Sequence, residues 1–138
     1  SRWAMTDALP PFYLKAMRQN GHNADCAVAT IATLCGINYE ESLAACVTVA
    51  PDVLLFGMTW PEIRKACEAL GVETTIKRAG RSDISEDTGI LHVRKPKVSH
   101  VVFLWAGRII DGNMEMWLEP DDYLRHYKWT AQSLLVRA

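Results

Sequence analysis

The spacing of apolar residues changes once along the chain, near Gly71, and that change limits the fold more than any other feature. Before it, apolar positions recur at helical intervals between well-marked starts and stops. After it, they alternate or run in short blocks between turn residues, as strands do. Helices first and strands second is the α+β order, with N-terminal helices packed on a C-terminal antiparallel sheet. The length of 138 residues suits a single domain over 1–138, with residues 1–18 as an N-terminal arm.

The helical half opens at Asn20–Asp25, a polar loop running into the small apolar stretch 26–35. Asn23 or Asp25 can cap this helix, and Gly36 stands where a left-handed stop is expected. Val28, Ile31, Leu34 and the surrounding alanines leave no polar face, so the helix is expected to be buried. Asn38 followed three residues later by Glu41 reads as a capping box for a second helix, about 39–48, with Leu43, Ala44 and Val47 inward. Residues 50–58 form an apolar connection. Thr59-Trp-Pro-Glu62 starts a third helix, about 60–70, which Gly71 stops.

Strands are expected over 72–77, 89–94, 100–105 and 108–111, with a short fifth in 114–118 and a closing strand at 133–136. Residues 80–88 read as a polar loop, Arg94-Lys-Pro-Lys97 as a basic bend, and 120–126 as a short helix. Strand 100–105 is apolar on both faces and is therefore placed centrally.

Composition excludes several classes. A formal net charge of −1 gives no field for nucleic acid or an anionic membrane. No apolar run reaches the length of a membrane span, and the first residues show no signal-peptide hydrophobic region. Cys26, Cys35, Cys46 and Cys67 form no C-x-x-C pair and sit on predicted helices, so they read as free thiols in a reducing, cytoplasmic setting. Zinc is a weak competitor: His22, Cys26, His92 and His100 are candidate ligands without paired spacing.

Cys26 falls in the first turn of the buried helix, where unpaired N–H groups and the positive end of the dipole favour a thiolate, the nucleophilic form. It can equally be one more small core residue. A cysteine nucleophile needs a base, and the base an orienting group. Of the four histidines, His100 opens the central strand beside a proline-bearing turn, at a sheet end that can reach a cleft. If Trp105 pairs with Arg108 across Ala106-Gly107, Asp111 becomes the same-face diagonal neighbour of His100. A slip of one residue turns Asp111 away and leaves Asn113 as the substitute. Trp60, Trp117 and Trp129 are groove or core aromatics.

The order Cys…His…Asp resembles the papain-fold cysteine peptidases, most closely the bacteriocin-processing, double-glycine peptidase-like family. The similarity runs over about residues 19–136. It is carried by Asp25-Cys26 with the alanine-rich helix to Gly36, and by Ile37-Asn-Tyr-Glu-Glu-Ser-Leu43. Gly57-Met-Thr-Trp-Pro-Glu-Ile63, Ala69-Leu-Gly-Val72, Ser99-His100-Val-Val-Phe-Leu and Ile110-Asp111 continue it. The resemblance implies a papain-like fold in which Cys26 attacks a carbonyl, His100 moves the proton and Asp111 orients the imidazole. It also implies an oxyanion hole formed by the Cys26 N–H and an upstream side-chain amide. The family carries a glutamine six residues before the nucleophile; here that place is Asn20, with Gln19 one further back, so either residue is the oxyanion candidate. Ala27 stands where members often have glycine.

The activity implied by the resemblance is that of a stand-alone cysteine peptidase acting on a peptide or isopeptide bond, after small residues such as Gly-Gly. Its partner is a peptide or protein substrate, and no cofactor or metal is expected. Members that cut leader peptides are often fused to transporters; with no membrane span or nucleotide-binding domain in the chain, leader processing for export is not expected. Transglutaminase- or deamidase-like amide chemistry with the same triad, and a catalytically inert peptide-binding module, are the competing readings.

Overall fold

The computed structural model describes residues 25–112 and 117–138. Four helices come first: α1 (Cys26–Cys35), α2 (Tyr39–Val49), α3 (Val53–Phe56) and α4 (Trp60–Ala69). Strands β1 (Thr74–Arg78), β2 (Thr88–Lys95), β3 (Val98–Trp105), β4 (Arg108–Ile110), β5 (Trp117–Leu118) and β6 (Thr130–Arg137) follow, with α5 (Arg81–Glu86) and α6 (Pro120–Tyr127) between them. The strands form one antiparallel sheet in the order β1-β6-β2-β3-β4-β5, so the α+β class holds.

Helix α1 is the buried axis of the helical layer. Every residue from Ala27 to Cys35 is buried. Its two threonines are satisfied within the helix: Thr30 Oγ1 donates to the carbonyls of Cys26 and Ala27, and Thr33 Oγ1 to that of Ala29. This back-bonding lets polar side chains enter a dry helix at little cost. Gly36 adopts the expected left-handed stop at φ 69°, and the Ile37 N–H closes on the Ala32 carbonyl. Asp25 occupies the N-cap position, but its side chain makes no capping hydrogen bond; the buried carboxylate accepts from the Tyr39 hydroxyl at 3.2 Å instead.

The second helix is capped by Asn38, whose Oδ1 accepts from the Glu41 N–H at 2.8 Å. Its inward face differs from the apolar pattern. Tyr39, Ser42 and Cys46 are buried, Leu43 is half-buried, and Ala44 and Val47 are exposed. The reason is hydrogen bonding: Ser42 Oγ donates to the Val28 carbonyl at 2.8 Å and Tyr39 reaches Asp25, so polar residues fill the positions that abut α1. Two short helices lie where connections are expected from the sequence. One is α3 within the apolar stretch 50–58, and the other is α5 within the loop 80–88. Capping box Thr59–Glu62 opens α4 with both bonds formed.

The sheet is covered on both faces. Ile90, Val101, Phe103, Ile110 and Leu135 pack against α1, α2 and α4, while Leu91, Val102, Leu104, Ile109 and Leu134 pack with Ile84 of α5 and Tyr123 of α6. Central placement of β3 follows from these two apolar faces. Hairpin β3–β4 pairs Trp105 with Arg108 as expected. Ala106 takes φ 29° and Gly107 φ 87° in the two-residue turn. A positive φ costs alanine roughly 1–2 kcal/mol; the Ala106 N–H offsets part of this by donating to the Asp87 carbonyl at 2.9 Å. Among the described residues no helix is long and apolar enough to cross a membrane.

Candidate active site

Cys26 is the first residue of α1 and half-buried, whereas Cys35, Cys46 and Cys67 are buried; all four thiols are free. Burial pushes the Cys46 thiol up to about 11, and a hydrogen bond with Cys35 together with burial raises Cys67 further. The same hydrogen bond with Cys67 outweighs burial at Cys35 and lowers its thiol, but all three are closed off in the core. Cys26 alone stands at the tip of a rigid helix, beside N–H groups that no intrahelical carbonyl can reach.

Strand β3 brings His100 to that tip. The β3–β4 register makes Asp111 its same-face diagonal neighbour, and the side chains meet: Nε2 of His100 lies 2.8 Å from Oδ1 of Asp111. Both are shielded, with side chains 12% and 7% exposed. With Nε2 taken by Asp111, Nδ1 is left for the hydrogen bond between the imidazole and Cys26. Burial works to lower the His100 pKa. Its hydrogen bonds to Asp111 and Cys26 and the attraction of both groups outweigh this and raise it to about 10. The imidazole is therefore held as imidazolium at neutral pH.

A second layer holds this pair. The Tyr123 hydroxyl of α6 donates to Oδ2 of Asp111 at 2.5 Å, so each carboxylate oxygen has its own donor. Burial and the neighbouring Asp111 raise the Tyr123 phenol well above its usual range, keeping it a donor. Trp129 stacks on His100 with centroids 5.7 Å apart and planes 25° apart, and it hydrogen-bonds Tyr123. Indole, phenol, carboxylate and imidazole thus close a ring of contacts that keeps water from the ion pair.

The site opens on a cleft of about 360 Å³ between the helical layer and the sheet. Cys26 and His100 form one wall, and Gly57, Met58, Trp60 and His92 much of the rest. The Trp60 indole N–H donates to Ser133 Oγ at 2.8 Å and its ring meets His92 edge-on at 5.9 Å, so the floor is fixed. Burial, then the Arg94 charge, lowers the His92 pKa, leaving that ring neutral.

Of the expected site residues, Cys26, His100 and Asp111 come together. Gln19 and Asn20 lie outside the described residues, as do His22 and Asn113. Among the described residues no three histidine, cysteine or carboxylate side chains are grouped to hold a metal. Of the three tryptophans, Trp60 lines the cleft, Trp117 packs on the helical-side core and Trp129 covers His100. Tyr123 is not among the residues expected from the sequence. Its only sequence signal is an aromatic with a polar tip on the inward side of a short acidic helix. Neither a family model nor a curated protein matches the chain.

Proposed function

We propose that the chain is a cysteine peptidase of papain-like fold, hydrolysing a peptide or isopeptide bond. The observation that carries this reading is the contact of Cys26, at a helix tip, with His100, itself fixed through Nε2 by Asp111. The Cys26 sulfur attacks the carbonyl carbon as thiolate and forms a tetrahedral oxyanion. The donors for that oxygen are the Cys26 N–H and an upstream side-chain amide, Gln19 or Asn20, one such donor being worth about 3–4 kcal/mol. As the C–N bond breaks, the His100 imidazolium gives its proton to the leaving nitrogen. The imidazole then takes a proton from water, whose oxygen attacks the thioester carbon, and the C–S bond breaks to restore the thiolate. Asp111 stays ionised throughout and keeps the ring oriented. The preference for small residues before the scissile bond, such as Gly-Gly, rests on the family resemblance alone.

The test is mass spectrometry of a diverse peptide library incubated with the native protein and with Cys26→Ala. Native protein alone is expected to produce pairs of fragments whose masses sum to peptide plus water. Library products that do not differ between the two proteins overturn the reading, and a loss of ammonia without chain cleavage points to amide exchange instead.

A further inference from the structure

The hairpin joining β2 to β3 places three cations within four residues: Arg94, Lys95 and Lys97. The chain as a whole carries a net charge of −1, so this is a local feature. Among the described residues none of the three forms an ion pair, whereas Lys77 is held by Asp83 and Asp87 and Arg125 by Asp122.

Register distributes these charges around the site. Arg94 pairs with Ser99, a cleft residue, and lies on the face of His92, whose ring feels its charge. Lys95 shares the other face with His100, since His100 pairs with Val93 two residues earlier. Its Nζ sits 4.3 Å from the centroid of Trp129, the ring that stacks on His100. Lys97 is exposed in the turn.

Reaction chemistry gives this hairpin a direction. The imidazole that protonates the departing nitrogen must lie on the leaving-group side of the scissile bond, so the amine fragment leaves on the His100 side of the cleft, where Ser99 pairs with Arg94 of the hairpin. We infer that Arg94, Lys95 and Lys97 select substrates with an acidic residue directly after the scissile bond. This rests on the thiol-hydrolase reading of the same site. An exposed ion pair of this kind changes affinity by about two- to fivefold.

Acyl transfer tests the inference without a known substrate. p-Nitrophenyl acetate acylates Cys26 and releases p-nitrophenol. The acetyl thioester is then attacked by water or by the α-amine of an added amino-acid amide. In the second case a C–N bond forms, the C–S bond breaks, and the amine proton passes to His100. The acceptor occupies the site from which the amine fragment departs, so its capture ratio reports that site whatever the acylation rate. Native protein is expected to prefer glutamic α-amide over the near-isosteric glutamine amide by about two- to fivefold, with the preference shrinking at about 1 M salt. The Arg94→Glu, Lys95→Glu, Lys97→Glu variant should reverse it in favour of lysine amide. If that variant does not fold, Lys97→Glu alone and the salt series on native protein carry the same test. Equal capture of the three amides by native protein, or a preference untouched by both charge reversal and salt, overturns the inference and leaves the hydrolase reading standing. No release of p-nitrophenol beyond that of Cys26→Ala overturns both.

Discussion

Replacing Asp111 by asparagine removes one charge while keeping the size and one acceptor oxygen, and its consequences can be worked from the geometry. The native carboxylate takes a proton donor on each oxygen, His100 at 2.8 Å and Tyr123 at 2.5 Å. Asparagine can serve only one of them as before, and the imidazolium loses its counter-charge. Removing one partner of a buried pair costs about 3–5 kcal/mol of folding stability. Loss of the group that orients the imidazole should also lower kcat/KM, by up to about 10⁴-fold. Stability carries a sharper signature. His100 titrates near 6.5 when unfolded and at about 10 when folded. Its contribution is fully present below the unfolded value and is lost as pH rises through the folded one. Between the two, native stability falls by about 1.4 kcal/mol per pH unit, or roughly 2 kcal/mol from about pH 6.5 to about pH 8.5 once the partly titrated lower end is allowed for. In Asp111→Asn, burial acts on His100 with only Cys26 left to oppose it, so the folded pKa falls toward the unfolded value and the slope shrinks. Urea unfolding followed by tryptophan fluorescence should therefore show the gap between native protein and variant narrowing by up to about 2 kcal/mol as pH rises. Titration of the buried thiols is common to both proteins and cancels. A gap that stays constant or widens refutes the claim that Asp111 holds His100 as imidazolium.

Two other substitutions probe the packing. Tyr123→Phe keeps the buried ring and removes the donor to Asp111 Oδ2 together with the hydrogen bond to Trp129, so urea unfolding should show a loss of about 1.5–3 kcal/mol, with secondary structure by circular dichroism unchanged. Gly89→Ala should destabilise by at least about 2 kcal/mol or abolish folding, because a methyl group there drives into the Leu135 backbone carbonyl on β6, a contact that no rotamer can relieve; a melting curve matching native protein would refute this.

The sequence is most legible where a local rule decides the structure. The Thr59 capping box, the Gly36 stop and the two-faced apolar run of β3 each depend on residues within a few positions of one another, and each forms as expected; of the capping box expected at Asn38, the bond from the Glu41 N–H forms. Hairpin register belongs in the same class. Trp105 meets Arg108 across a two-residue turn even though Ala106 must take a positive φ. Period counting misplaces the face of α2 because it scores Ser42 and Tyr39 as outward. Their inward position is decided by acceptors on α1 and at Asp25, fourteen residues away in each case. Helix α5 escapes the same counting for a related reason. Ile84 is its one buried residue, and its start is held by the Gly80 N–H and Lys77 reaching Asp83, a tie that leaves no apolar period to count.

The same distinction divides the site. Cys26, His100 and Asp111 can be named from the sequence because each carries its own signal: a helix tip, a strand start and a register position. Tyr123 and Trp129 act only through what they touch, and their partners lie on other elements. Yet they fix the surroundings of Asp111 and His100. A carboxylate held by a donor on each oxygen keeps its orientation toward the imidazole. A ring stacked beneath an indole cannot turn away from Nε2 contact without losing that contact area. The sulfur of Cys26 is thus placed by the helical layer, and the imidazole it meets is held from the far side of the sheet, by an α6 hydroxyl and a β6-proximal indole. Substitutions at Tyr123 and Trp129 should therefore alter the pH dependence of Cys26 chemistry more than the shape of the cleft that presents it.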